Sequence, residues 1–128
     1  MIIIVKPEYG NDNQVKKIQN VREKYMRFTD KTDNKDLIID VLRHQVFLDG
    51  KKIILTTLEF SLLFLLASQP ERVYTYEQIY ESVWGEPYNN EKGNIMTHIN
   101  HIRNKIELNP DHHQYIENIR GVGYRFRK

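Results

Sequence analysis

Four isoleucines, at positions 95, 99, 102 and 106, constrain this chain more than any other feature. Their spacings of four, three and four residues set all four side chains on one narrow stripe of an α-helix, which turns once every 3.6 residues. So narrow a stripe must lie against a core, and the sequence therefore predicts an amphipathic helix over about 94–107. The opposite face carries Asn94, Thr97, His98, Asn100, His101, Arg103 and Asn104, with no acid until Glu107. A helix face that meets only water usually mixes Glu and Lys in i,i+4 pairs. Amides, imidazoles and a guanidinium instead offer the donor and acceptor geometry needed to read base edges in a major groove. The plain alternative is a polar surface helix.

The residues upstream supply the rest of a core. In "TTLEFSLLFLLASQP", Thr56 and Glu59 form a capping box, each side chain satisfying a free backbone N–H of the other residue, and Pro70 stops the helix. Its apolar residues cover most of the circumference, which makes a helix over about 57–68 the buried hub. A second box, Thr75 with Gln78, starts "YEQIYESVW", and Gly85 with Pro87 ends it, giving a helix over about 75–83. Residues 37–55 read as short strands, with Asp49-Gly50 as a hairpin turn and Arg43-His44 as a looser one. The chain closes on "YIENIRGVGYRFRK", a hairpin over about 115–127 turning at Gly121-Val122-Gly123. Tyr124 and Phe126 alternate with Arg125 and Arg127, so one face packs and the other stays charged.

Residues 1–36 read differently. "MIIIV" suits a strand, residues 11–28 a short amphipathic helix, and "TDKTDNKD" a linker. The expected organisation is an extension over 1–36 followed by a folded domain over 37–128, and removing 1–36 should leave that domain folded. Net charge is only +2, but it is unevenly spread. Residues 91–128 hold seven basic side chains (Lys92, Arg103, Lys105, Arg120, Arg125, Arg127, Lys128) against four acids (Glu91, Glu107, Asp111, Glu117). A basic last third on a neutral body hints at a polyanion-binding face.

Enzyme chemistry finds little support. The chain has no cysteine, which removes thiolate nucleophiles and cysteine zinc sites. His98 and His101 are i,i+3 on one helix, and His112-His113 follow, but no carboxylate stands at a matching helical position to complete a metal site. Ser61, Ser68 and Ser82 all fall within expected helices and suggest no triad. No catalysis and no cofactor are expected. The run "MIIIV" is too short for a signal peptide and 62–67 too short to span a bilayer, so a soluble cytoplasmic protein with no membrane contact is expected.

Strands, three helices and a basic terminal hairpin follow the order of a winged helix-turn-helix, and at this point the resemblance becomes specific. Leu55-Thr56, Glu59-Phe60, Leu62-Leu63, Trp84-Gly85, His98-Ile99, Ile102-Arg103, Lys105, Arg120-Gly121 and Gly123-Tyr124 stand in the order and spacing of the effector domain of OmpR/PhoB-type response regulators. The chain resembles that family over about 37–126. The resemblance implies an α+β fold: an N-terminal four-stranded antiparallel sheet from residues 25–55, three helices and a C-terminal β-hairpin wing. It implies sequence-specific binding of double-stranded DNA as a bacterial transcriptional regulator, with helix 94–107 in the major groove and the wing 115–127 on the adjacent minor groove. Thr97, His98, Asn100, His101 and Arg103 take the helix positions that touch bases and phosphates in the family, and Asn118 and Arg120 take wing positions. Tyr76, Trp84, Lys105 and Arg125 are candidates for backbone or supporting contacts. The loop 85–90 corresponds to a segment that engages RNA polymerase in some members, and a homodimer on DNA is a further implied partner.

Two departures from the family pattern stand out. Arginines are common where this sequence has Asn100 and His101, so each copy should bind modestly. A receiver domain normally precedes the effector, yet Lys6-Pro7 stand where its acidic pair would be, and some thirty residues cannot hold one. Phosphoryl control in cis is therefore not expected. The rival reading is a winged helix that has lost specific DNA binding and serves as a protein–protein contact module.

Overall fold

The computed structural model describes residues 25–29, 36–107 and 115–127. The expected strand in "MIIIV", the linker residues 30–35 and the loop "DHHQ" lie outside them.

Four strands open the described chain: β1 (Tyr25–Thr29), β2 (Asp36–Asp40), β3 (Gln45–Leu48) and β4 (Lys51–Ile53). They form an antiparallel meander in that order. The β3–β4 turn is the expected Asp49-Gly50, both with positive φ (54° and 81°), and His44 takes φ 53° in the β2–β3 turn. Alternation places Leu37, Ile39, Val46 and Leu48 in the core. The family resemblance implied a sheet starting at residue 25, whereas the residues by themselves suggested a helix reaching 28; Met26 is buried, Arg27 is exposed, and β1 pairs with β2 from Tyr25↔Asp40 to Thr29↔Asp36. A sheet edge with a free partner outweighs weak helical spacing. Asp36 fixes that register: it accepts from Thr29 Oγ1 (2.7 Å) and Arg27 Nε (3.0 Å). Residues 25–29 thus belong to the sheet, and a deletion of 1–36 removes one of its strands rather than a detached extension.

Helix α1 (Thr57–Ser68) follows, then β5 (Tyr74–Thr75), α2 (Tyr76–Trp84), α3 (Lys92–Ile106), β6 (Ile116–Ile119) and β7 (Gly123–Phe126). Both capping boxes form. Thr56 Oγ1 accepts from Glu59 N–H (3.2 Å) while Thr56 N–H donates to Glu59 Oε1 (2.9 Å), and Thr75 and Gln78 repeat the pattern. Gly85, at φ 72°, ends α2 and donates to Glu81 O. Helix α1 is the hub: Phe60, Leu62, Leu63, Phe64, Leu66 and Ala67 are all buried, and it packs on α2, α3 and β7.

The C-terminal hairpin is part of a three-stranded sheet ordered β5-β7-β6. The two-residue β5 was not anticipated, since a dipeptide carries no periodicity. It explains Gly123, however: a Cβ there would lie 1.8 Å from Tyr74 O across the β5–β7 pair, so only glycine lets the strands approach. Phe126 is fully buried and its ring lies tilted against that of Phe28, centroids 4.5 Å apart, joining the two sheets.

Candidate functional site

Ile95, Ile99, Ile102 and Ile106 are all fully buried, so α3 is seated as its stripe requires. The face turned outward exposes Lys92, Gly93, Asn94, Met96, Thr97, Asn100, His101 and Asn104, with no carboxylate among them. Arg120 is exposed at the hairpin turn, and Asn118 is exposed on β6. Helix face and hairpin tip thus each expose polar or cationic groups.

Several of these side chains are pre-arranged. Thr97 Oγ1 donates to Gly93 O (3.0 Å). His98 is half-buried, its ring edge-on to Trp84 with centroids 5.2 Å apart, and its Nδ1 lies 2.9 Å from Asn94 O. A carbonyl only accepts, so that contact needs the proton on Nδ1 and leaves Nε2 of the neutral ring as an acceptor. Trp84 in turn stacks on the buried Tyr80 at 5.0 Å, and Tyr88 closes over Tyr80 at 5.9 Å. This aromatic stack braces the loop between α2 and α3.

His101 is more than half exposed, with Nδ1 3.6 Å from Glu59 Oε2. Lys105 Nζ donates to Glu59 Oε1 at 2.7 Å. Glu59 therefore serves both the α1 capping box and the outer flank of α3. Burial alone would push its carboxyl up. The Lys105 and Thr56 hydrogen bonds and the charges of Lys105 and His101 outweigh that and hold it below its ordinary value.

Arg103 departs from expectation. It does not share the outward face: its Nη2 donates to Ile116 O (2.9 Å), and its guanidinium sits 5.7 Å from the Tyr124 ring centroid. Arg103 lies four residues after Ile99 and three before Ile106, so it borders the buried stripe and its long side chain reaches the hairpin. Burial pushes its guanidinium below the ordinary value, against the opposing charge of Glu107. Arg125 pairs with Glu117 (2.8 Å), a bond that raises it, and Tyr76 meets Tyr124 edge-on at 5.9 Å. Lys105, Arg125 and Tyr76 are thus engaged within the fold. Sequence reasoning missed three participants. Glu59 was seen only as a cap, Lys92 stands 5.0 Å over the Tyr76 ring, and Glu107 binds the hairpin through backbone N–H groups. Among the described residues no group of three metal-ligating side chains converges, and no helix is long and apolar enough to cross a membrane.

Comparison with known proteins agrees with this fold. A family profile described as "Transcriptional regulatory protein, C terminal" matches residues 50–126. The uncharacterized transcriptional regulatory protein YcbL of Bacillus subtilis is 43% identical over 89 residues, covering 70% of this chain and 39% of YcbL. The response regulator DrrB of Thermotoga maritima, an OmpR/PhoB homolog, superposes with a TM-score of 0.72 at 34% identity over 91% of this chain and 50% of its own. The DNA-binding domain of Klebsiella pneumoniae RstA, solved in complex with the RstA box, gives 0.71 at 25% identity over 81% of this chain and 97% of that domain. The chain spans about two-fifths of the length of the curated relatives it matches.

Proposed function

The chain belongs to the transcriptional regulatory protein C-terminal family, the effector domains of OmpR/PhoB-type response regulators, and from that premise we propose that it binds double-stranded DNA to regulate transcription. In this reading α3 enters the major groove and the β6–β7 hairpin lies on the adjacent minor groove. One observation carries it: the outward face of α3 is free of acid and rich in amide, hydroxyl and imidazole groups. Asn100, His101, Thr97 and His98 are the proposed readers of bases and phosphates, and Arg120 the wing's minor-groove cation, with Asn118 beside it. Arg103, turned toward the hairpin, is not among them. Lys92, Arg120 and Arg127 are the exposed Lys and Arg side chains of α3 and the closing hairpin among the described residues, a small number that favours modest affinity per copy. Two copies on half-sites about 10–11 base pairs apart would supply the remainder. The loop 85–90, rigidly backed by Tyr88 on Tyr80, is a proposed contact for RNA polymerase. Strand β1 is counted with the domain, because it pairs with β2 from Tyr25 to Thr29. An enzymatic role has no support.

Selection of bound duplexes from random DNA tests the proposal. A defined repeat should emerge, and log K against log salt should fall with a slope on the order of −3 to −5 per copy. Absence of any retardation of duplex DNA at low salt would refute it and leave the α3 face to a protein partner.

A further inference from the structure

The flank of α3 opposite Glu59 holds a second pair of charges. Arg103 and Glu107, one helical turn apart, both fasten the same short piece of the hairpin. Glu107 Oε2 accepts from Ile116 N–H (2.9 Å) and Tyr115 N–H (3.2 Å), and Arg103 Nη2 donates to Ile116 O (2.9 Å). Ile116 is thus gripped at both its N–H and its C=O by side chains from α3. Glu107 is buried, and Arg103 Nε is buried without a hydrogen-bond partner among the described residues. Keeping a buried carboxyl and a half-buried guanidinium there is expensive, and apolar residues of similar volume usually hold elements together at least as firmly. What charge-assisted hydrogen bonds add is direction: an apolar contact tolerates sliding, whereas these fix one peptide at one height along the helix.

That height matters because β6 is the outer strand of its sheet among the described residues, paired with β7 on one side while Ile116 is buried in the core. Strand β7 is itself anchored by buried Tyr124 and Phe126, by its pairing with β5 and by Glu71 N–H donating to Phe126 O (2.7 Å). Four residues beyond Ile116 stands Arg120, exposed at the tip. We infer that Arg103 and Glu107 are positioning residues that set the register of the wing against the α3 helix, so that Arg120 meets the minor groove in phase with α3 in the major groove. They act through Arg120 and need not touch DNA themselves. The inference rests on the DNA-binding reading above.

A double-mutant cycle on a selected duplex tests it, with Arg120→Ala made in the wild-type, Glu107→Gln and Arg103→Met backgrounds. Wild type should lose about five- to tenfold in affinity on Arg120→Ala and about one unit of salt slope. In either clamp variant the same change should cost about twofold or less and leave the slope unmoved. A merely structural role would lower the melting temperature and keep the Arg120 effect whole, and that result overturns the inference. Two backgrounds are used so that poor folding of one still leaves a reading from the other. Residual dipolar couplings of the free protein give a second arm independent of DNA. They should report a reoriented β6–β7 hairpin relative to α3 in Glu107→Gln, and unchanged couplings overturn the clamp. If wild type binds no DNA, the functional reading fails by itself, and the couplings still decide whether the clamp sets the wing.

Discussion

Helices α1 and α3 are of similar length, 12 and 15 residues, but they are built on opposite plans. Nine residues of α1 are buried, among them Glu59, Ser61 and Ser68, and it has no face to spare. Helix α3 buries four isoleucines and turns the rest of its circumference to solvent, the wing or α2. The contrast divides labour. Apolar burial that offsets chain entropy runs all round α1 and only along one stripe of α3, so the exposed face of α3, Asn94, Thr97, Asn100 and Asn104 among it, is released to carry polar groups that the core does not require.

The largest effects should therefore fall on α1. Leu63→Ala removes a fully buried side chain from the hub and should cost about 2–5 kcal/mol in urea unfolding. Asn100→Ala, on the exposed face of α3, should change stability by no more than about 0.5 kcal/mol. If the two variants unfolded at similar urea concentrations, stability and recognition would not be separated as the burial pattern implies.

The binding experiment reverses the order. Asn100→Ala should cost about 1–3 kcal/mol on a preferred site and little on random duplex, because a base-edge hydrogen bond is lost. Filter binding on both DNAs checks this, and an equal loss on each would mean that Asn100 touches only the backbone.

How much of this could be read from the chain alone depends on the range of the interaction. The two capping boxes, the isoleucine stripe, the Asp49-Gly50 turn and the closing hairpin are local patterns, and all appear where the residues put them. Strands β1 and β5 did not announce themselves in their own residues. Each is a strand only because a distant partner, β2 or β7, satisfies its backbone. The same holds within the site. Exposure of Asn100 and His101 follows from helical phase, but the direction of Arg103 depends on a carbonyl thirteen residues away, and Lys105 reaches a carboxylate forty-six residues upstream. Glu59 was legible as a cap and illegible as a bridge.

Glu59 is also where the two helices meet, and it gives the contrast a pH signature. Its carboxyl sits below its ordinary value of 4.5 in the folded chain. A depressed carboxyl binds its proton less readily when folded, so its contribution to stability is complete above about pH 4.5 and is lost as pH falls through the lowered folded value. Thermal melts from pH 6 down to pH 3 should show Glu59→Gln with a flatter acid limb than wild type. At neutral pH that variant loses the charged partner of Lys105, at a cost of about 1–2 kcal/mol. Parallel acid limbs for the two proteins would assign the acid sensitivity elsewhere, Asp36 with its Thr29 and Arg27 partners being the next group held low.

The smallest effect expected belongs to His101, which tests whether the exposed face of α3 is a reading surface or a mere polar covering. Its Nδ1 lies 3.6 Å from Glu59 Oε2, too long for a hydrogen bond but close enough for a charge on the ring to be felt. Lys105 already occupies Oε1 of that carboxylate, and the His98 ring is the other imidazole nearby, its centroid 6.2 Å from that of His101. A protonated imidazole presents two donors, so one can turn to Glu59 while the other meets a phosphate or a guanine acceptor. DNA binding would then take up a proton, and affinity should rise as pH is lowered across about 8 to 5. An exposed ion contact of this kind is worth about 0.5–1 kcal/mol, so the tightening should be about two- to fivefold. His101→Gln keeps a hydrogen-bonding group and removes the titration, and its affinity should be flat over the same range. Should His101→Gln keep the full pH response while Asn100→Ala keeps full specificity, α3 does not read DNA through this face. The acid-free surface would then be better explained as the seat of a protein partner.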